Sequence, residues 1–529
     1  PFLAPSLLSG RVDARLSRRR LLQAGAAGAA GAAILPAAGC SSDDDGGGGE
    51  DGQLNVLVLI IDSLRPDHVG AYGSPQIRTP NIDALANRGL RFSRAFPEAM
   101  VTVPARRSIF TGQRIFPYRN FKPIADLGIS PGWTAIDNLD QTLMKALSDA
   151  GYRTIQVTDN PHTGFTQTYR PFRLSWDKFV SIEGRTGTRN DPSTVSDAAV
   201  RRWLPKALQD NERYVEGMKK NLANTGYGRD DSESDAARVF GAAAEQLSAA
   251  ARSGDKFALV VDCFDPHEPW TAPKEYIDLY GDPEYDGPEV GTLDYGPAGY
   301  LSKDELRRAH AGYAAAVTMT DRWLGTFLER FDELGLSDNT AIVLISDHGV
   351  LLGERGWVGK IPGELHPEMA RVPLAIVHPA GKRAGESSEY FASTHDVAPT
   401  VLSMLGIEEP SWMQGEDLSL LLDEDGERPA ARPFHYGGMY NRYFIRTDQW
   451  VLLGDNLGGN RQLFDLTLDP GEFHNVAEAN RAHKRLAEEL YQQVIEATGG
   501  KPLPYYDDEK LQAQLTAARE RSGFVDPTP

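Results

Sequence analysis

The sequence predicts an α/β fold, a doubly wound and mostly parallel central sheet with a smaller C-terminal α+β domain, and three observations predict it. Residues 55–61 read Asn-Val-Leu-Val-Leu-Ile-Ile, an unbroken apolar run rich in branched residues, the pattern of a strand covered on both faces. Further apolar runs at 153–157, 257–263, 341–345 and 374–377 alternate with periodic helical segments at 79–88, 140–150, 235–252 and 302–334, the alternation of a layered α/β domain. After Gly406 the pattern changes: 443–453 and 462–466 read as short antiparallel strands and 481–498 as a helix.

Taken in chain order, Ser17-Arg18-Arg19-Arg20-Leu21-Leu22 resembles a twin-arginine export signal, followed by an Ala/Gly-rich run. Leu35-Pro36-Ala37-Ala38-Gly39-Cys40 ends like a lipobox, which makes Cys40 a candidate for lipidation and a membrane tether; cleavage near Ala37 or Ala38 is the alternative and gives a secreted or periplasmic enzyme. Residues 1–40 are thus assigned to the signal. Residues 41–52, rich in Ser, Asp and Gly, cannot bury apolar area and are assigned to a flexible linker. A catalytic domain is expected over 53–410, the α+β domain over 411–505, and a tail over 506–529 with a helix at 508–519. Two stretches, polar 183–232 and Gly/Pro/Asp/Tyr-rich 281–299, read as irregular insertions over the sheet edge that shape a substrate mouth.

At 529 residues the chain exceeds the size at which one core keeps growing, so two domains are expected. A net charge of -19 with no clustered Lys and Arg past the N-terminus excludes nucleic acid as partner. The two cysteines, Cys40 and Cys263, are not expected to pair.

In doubly wound folds ligands collect beyond the carboxyl ends of the strands. Asp62, His162, His267 and the pair Asp347-His348 each stand at or just past such an end, so the fold itself brings them together. Taken singly, each Asp or His is more often a cap or a surface charge. Together, Asp62, Asp347 and His348 offer carboxylate oxygens and an imidazole, a set suited to one divalent ion (Mn²⁺, Zn²⁺, Ca²⁺ or Mg²⁺), with Thr102 as a fourth ligand. A hydroxyl bound to such an ion loses its proton more readily and becomes a nucleophile.

Thr102 lies in Val101-Thr102-Val103-Pro104-Ala105-Arg106-Arg107-Ser108-Ile109-Phe110-Thr111-Gly112. With 55–68, Thr-Pro-Asn-Ile-Asp at 79–83, Asp-Pro-His-Glu-Pro at 265–269, Ser-Asp-His-Gly at 346–349, Gly359-Lys360, Arg-Val-Pro-Leu at 371–374 and Phe-Asp-Leu-Thr-Leu-Asp-Pro at 464–470, it resembles the sulfatase family of the alkaline phosphatase superfamily, in the family's order from Asn55 to Thr498. The resemblance implies that Thr102 is the nucleophile, Arg106 steadies it and the developing charge, and His162 serves beside it as base or ligand. It also implies that His267 protonates the leaving group and that Lys360 binds the substrate oxyanion. His68, His366, His378 and His395 read as structural.

Two departures matter. Sulfatases place a cysteine or serine at the nucleophile and oxidise it to formylglycine; with threonine no formylglycine is expected. Their second aspartate after the first strand is here Ser63. An acidic residue, a threonine and an Asp-His pair around one metal look like the site of lipoteichoic acid synthase and related transferases, so Thr102 would carry a phosphoryl group. The expected function is an exported, metal-dependent sulfatase-family hydrolase of sulfate or phosphate esters. A phosphodiesterase or phospho-headgroup transferase acting on envelope glycan or lipid, and a non-catalytic glycan-binding scaffold, are the alternatives.

Overall fold

The computed structural model describes residues 54–226 and 230–522. The expected signal with Cys40, the 41–52 linker and the last residues of the tail lie outside the described residues. Strands in the first part of the chain are β1 (Asn55–Ile61), β2 (Leu90–Phe92), β3 (Arg153–Thr158), β4 (Lys178–Ser181), β5 (Phe257–Cys263) and β6 (Gly296–Pro297). Next come β7 (Thr340–Ile345), β8 (Leu351–Leu352), β9 (Trp357–Gly359), β10 (Leu374–Val377) and β11 (Ser387–Ser388), and finally β12 (Phe434–Met439), β13 (Arg442–Thr447), β14 (Trp450–Asp455) and β15 (Gln462–Asp465).

Eight of these form the central sheet in the order β11-β2-β10-β7-β1-β5-β3-β4. The run β7-β1-β5-β3-β4 is parallel throughout, whereas β10 runs antiparallel to both β7 and β2. The doubly wound reading therefore holds for the heart of the sheet. Successive side chains of a strand point to opposite faces, and β1 divides accordingly. Leu57, Leu59 and Ile61 pack with the helices Asp235–Ser253 and Lys303–Glu333, while Val56, Val58 and Ile60 pack on the other face with the helices Thr102–Thr111, Leu143–Asp149 and Val397–Met404. Both faces being covered, the strand needs no polar side, which explains its unbroken apolar run.

Strands β12 to β15 form a four-stranded antiparallel sheet. Helix Arg481–Ala497 lays Ala487, Leu490 and Val494, a one-face spacing, against Tyr443, Ile445, Leu452 and Leu463 of that sheet. The stretch 443–453 resolves into β13 and β14, and β12 escaped the sequence reading. Among the described residues no helix is long and apolar enough to cross a membrane.

The expectation for 183–232 needs correction. It contains the helices Asp197–Trp203 and Glu212–Asn224, whose Val200, Trp203, Met218 and Leu222 pack on Ala311, Ala315 and Met319 of the long helix. Its helices buttress that helix, while Arg185 near its start reaches Asp265 and the His267 carbonyl at the edge of the site. The 281–299 stretch does reach the site, through Tyr295.

Candidate active site

The register of the sheet sets the site. Ile60 of β1 lies opposite both Ile345 of β7 and Asp262 of β5, so two residues further on Asp62 and Asp347 leave adjacent strands side by side. Both are completely buried, as is His348. His348 Nε2 stands 3.5 Å from Asp347 Oδ2, 4.0 Å from Asp62 Oδ1 and 3.4 Å from Thr102 Oγ1.

His348 Nδ1 lies 2.8 Å from the Gly349 carbonyl oxygen, to which it can only donate, so Nε2 keeps its lone pair and directs it toward the two carboxylates. This is the tautomer a metal requires, fixed by a backbone acceptor. Ligands about 2.1 Å from a tetrahedral ion are separated by about 3.4 Å, close to the observed spacings. Burial, then the neighbouring charge of Asp347, push the Asp62 carboxyl well above the ordinary carboxylate range, and a cation among the three groups removes that penalty. Asp62, Asp347 and His348 together form a cluster of metal-ligand character, and the donor set fits one divalent ion.

Ser63, where the family resemblance implied a second carboxylate, sits in the left-handed region at φ 57°. This turn lets its Oγ donate to Asp62 Oδ1 at 2.7 Å and its N–H to Asp347 Oδ1 at 3.0 Å. It supplies donors that fix two carboxylates in place of a third one.

Thr102 is the first residue of the helix Thr102–Thr111. Pro104 is tolerated in this first turn because its missing N–H would have no intrahelical acceptor. Gly112 closes the helix in the left-handed conformation at φ 65°. The helix's partial positive charge is thus directed at Thr102, where it favours an alkoxide.

Arg106, one turn on, is buried and does not line the cavity. Its Nε and Nη2 donate to Asp262 Oδ2 and Oδ1 at 2.9 and 2.6 Å, and Nη1 donates to Asp347 Oδ2 at 2.6 Å and to the Thr102 carbonyl at 3.1 Å; Nη2 is 3.1 Å from Asp62 Oδ2. The guanidinium therefore braces the carboxylates and the nucleophile's backbone, and acts on the reacting atoms through them. Asp262 was not anticipated, yet its signal was legible: it is the one charged residue of β5, and strand alternation puts it on the face of Ala258 and Val260 that meets the nucleophile helix.

Thr102, His162, His267 and Lys360 line one cavity of about 1110 Å³. His162 sets its ring edge-on to Trp133 with centroids 4.6 Å apart; burial, then the Arg106 charge, push its pKa down to about 4. His267 Nδ1 lies 2.7 Å from the Glu268 carbonyl and its Nε2 3.2 Å from Lys360 Nζ. Burial above all, with Lys360 adding to it against the Glu268 carboxylate, pushes its pKa down to about 3.

The ring of His267 is therefore neutral at neutral pH, and its available nitrogen accepts from Lys360. The ammonium of Lys360 is also 2.8 Å from both oxygens of Glu268 and 2.6 Å from the Tyr295 hydroxyl, which itself donates to Glu268. Buried Arg185 holds this loop by donating to Asp235 Oδ2 at 2.9 Å, to the Asp265 carboxylate and to the His267 carbonyl. Glu268, Tyr295 and Arg185 had no assigned role in the sequence reading; Tyr295 in particular comes from a stretch whose composition signals only a turn-rich loop.

Comparison with known proteins gives the same result. The family model described as Sulfatase matches residues 54–407, and that described as N-sulphoglucosamine sulphohydrolase, C-terminal, matches 353–499. An arylsulfatase of Clostridium perfringens is 26% identical over 485 residues, covering 86% of this chain and 97% of the relative. A multifunctional alkaline phosphatase superfamily protein, PehA of Trinickia caryophylli, is 26% identical over 492 residues, covering 80% and 91%. Among solved structures, the phosphonate monoester hydrolase of Agrobacterium radiobacter superimposes with a TM-score of 0.63 at 20% identity, covering 87% of this chain and 96% of that one. With its fold, its gathered residues and the matched span in agreement, the chain belongs to the sulfatase family within the alkaline phosphatase superfamily and is a sulfuric or phosphoric ester hydrolase.

Proposed function

We propose that the protein cleaves phosphate or phosphonate esters in preference to sulfate esters, with Thr102 Oγ1 as nucleophile. The observation that carries this reading is the position of Thr102 Oγ1, 3.4 Å from His348 Nε2 at the positive end of its helix and on the wall of the large cavity. Asp62, Asp347 and His348 are the residues to hold a divalent ion, which when bound acidifies a neighbouring hydroxyl and neutralises non-bridging oxygens.

The chain's own groups complete the reaction. Arg106 fixes Asp347, Asp262 and the Thr102 carbonyl in one rigid array. His162, neutral near pH 7, is in the form that accepts the threonine proton. Oγ1 then attacks phosphorus and the ester oxygen departs. Lys360 Nζ–H, held by Glu268, Tyr295 and His267, is the proton donor to that oxygen, which transfers the acid role from His267 to the ammonium it supports. Water then attacks phosphorus and breaks the Thr102 Oγ1–P bond; the phosphoryl product leaves, and Oγ1 recovers the proton held by His162. A sulfo-threonine lacks the carbonyl elimination by which a formylglycine hydrate sheds sulfate, and this favours phosphorus over sulfur.

The name of one structural neighbour, a phosphonate monoester hydrolase, is in keeping with chemistry at phosphorus, while the arylsulfatase relative is named for sulfate esters. The proposal includes export through the Arg18-Arg19 segment with Cys40 as candidate anchor. The cavity, far larger than one phosphoryl group, also has room for an acceptor alcohol, so transfer is the second reading; an added alcohol would then appear esterified in the products.

The test compares 4-nitrophenyl phosphate, phosphonate and sulfate on wild type and Thr102→Ala with metal supplied. Phosphorus esters turned over faster than sulfate, and both lost in Thr102→Ala, are expected. A clear preference for sulfate, or turnover surviving in Thr102→Ala, overturns the reading.

A further inference from the structure

An ammonium carries three N–H bonds, and four acceptor atoms stand around Lys360 Nζ: Glu268 Oε1 and Oε2 at 2.8 Å each, the Tyr295 hydroxyl oxygen at 2.6 Å and His267 Nε2 at 3.2 Å. The Tyr295 hydroxyl directs its own proton to Glu268, so its oxygen accepts from the lysine. Each N–H of Lys360 thus has a protein acceptor, and none is left over for a bound ester. An ester oxygen that reaches this lysine must take the place of one of the four.

The holders differ in how readily they yield. Glu268 is 7% exposed, and a buried carboxylate parted from its cation is costly. The His267 ring is stacked on Phe264 with centroids 4.1 Å apart, and its Nδ1 is tied to the Glu268 carbonyl. Tyr295, by contrast, is 43% exposed and lines the cavity, so its phenol can exchange protein contacts for water. Strand register places it there. β6 runs antiparallel to β9 with Gly296 opposite Val358, and one step further Tyr295 falls opposite Gly359, the residue before Lys360. Gly359 is left-handed at φ 87°, and a Cβ on it would collide with the Tyr295 ring. Glycine therefore lets the ring lie against this backbone with its hydroxyl on the lysine. Exchanging a neutral phenol oxygen for an anionic one on an ammonium is favourable, because hydrogen bonds between two charged groups are the stronger kind.

We propose that Tyr295 is a specificity-determining residue that holds the substrate's place on Lys360: its hydroxyl caps the ammonium until an anionic oxygen of the incoming ester displaces it. A ligand that is too weak an acceptor to displace the phenol is thereby rejected. The inference rests on the ester-cleaving reading of the same cavity. Its subject is how the ester is admitted, so the two can fail separately.

The test measures phenyl phosphate binding by calorimetry to the full chain carrying Thr102→Ala, with Mn²⁺ present, so that no ester is consumed. Adding Tyr295→Phe frees one N–H of Lys360 and should tighten binding about tenfold. A tyrosine that merely steadied the lysine or shaped the wall would give the opposite sign. When Lys360→Met is also present, adding Tyr295→Phe should change Kd by less than about twofold, because the effect runs through the ammonium. With Thr102 intact, Tyr295→Phe should lower KM for 4-nitrophenyl phosphate and leave kcat within about twofold. Binding that is unchanged or weaker in Tyr295→Phe, no binding of phenyl phosphate in either chain, a gain that persists beside Lys360→Met, or a fall in kcat with KM unchanged each overturns the proposal. Failure of the ester-cleaving reading shows elsewhere, as turnover retained in Thr102→Ala.

Discussion

Arg106 and Asp262 meet in a two-point contact wholly inside the protein, Nε to Oδ2 at 2.9 Å and Nη2 to Oδ1 at 2.6 Å. The same guanidinium reaches Asp347 and Asp62, so one cation answers three buried carboxylates. Removing one partner of a buried, hydrogen-bonded pair leaves an uncompensated charge, which costs about 3–5 kcal/mol. Arg106→Met should therefore lower unfolding free energy by that amount in denaturant titrations, with activity lost as well. Asp262→Asn, which keeps the shape, should cost less and reduce kcat more than KM.

Thr102→Ala should lower kcat/KM by about 10³-fold or more with little change in thermal midpoint, because the side chain is small and its loss leaves the helix intact. Thr102→Ser restores a hydroxyl at the same place and should recover most of the rate. A serine variant as inactive as the alanine one would mean that the hydroxyl is not the reacting group.

Chelation should abolish turnover, and readdition of Mn²⁺ or Zn²⁺ should restore it. An ion that binds only the folded chain also raises its stability by mass action, so melting curves should shift upward with metal in wild type and not in Asp62→Asn or His348→Ala. That thermal shift reads the site without reference to catalysis.

Lys360→Met should depress activity more than His267→Ala, by about 10²- to 10⁴-fold for an alkyl ester, and much less for a 4-nitrophenyl ester, whose leaving group needs no proton. If the histidine variant showed the stronger dependence on leaving group, the acid would be His267.

His435 and His395 are fully buried and neither ring has a hydrogen-bond partner on either nitrogen. Burial, with Arg114 and Arg432 adding to it, holds both well below the usual histidine pKa. The unfolded chain therefore takes up protons first as pH falls below about 6.5, and stability present above that pH is lost as acidity increases. His435→Phe, placed near Phe96, Phe391 and Phe444, should flatten the fall in melting temperature between about pH 6.5 and pH 4. A slope equal to that of wild type would clear this histidine of the effect.

The central sheet was legible because its strands must be apolar on both faces, and the site followed from it because Asp62, Asp347 and His348 stand where adjacent parallel strands end. Asp262 was concealed inside an apolar strand, where its alternation parity, and not its position at an end, gives it a role. Helix Glu212–Asn224 was hidden by its polar composition, although Tyr214, Met218 and Leu222 recur at one-face spacing. Tyr295 and the tail residues 505–509 reach the cavity by long-range hydrogen bonds between loops, and no local pattern in sequence encodes such contacts.

The spacing of Asp62 from Asp347 and His348 along the chain has a consequence for biosynthesis. A ribosome that has released everything through β5 has made the nucleophile helix and one acid, but neither of the groups that β7 delivers. No competent ion trap exists at that stage, so capture waits until the strand beside β1 has docked. Acquisition of an ion there would then be coupled to the docking of β7 beside β1, and an ion bound at this place would mark a chain folded at least that far.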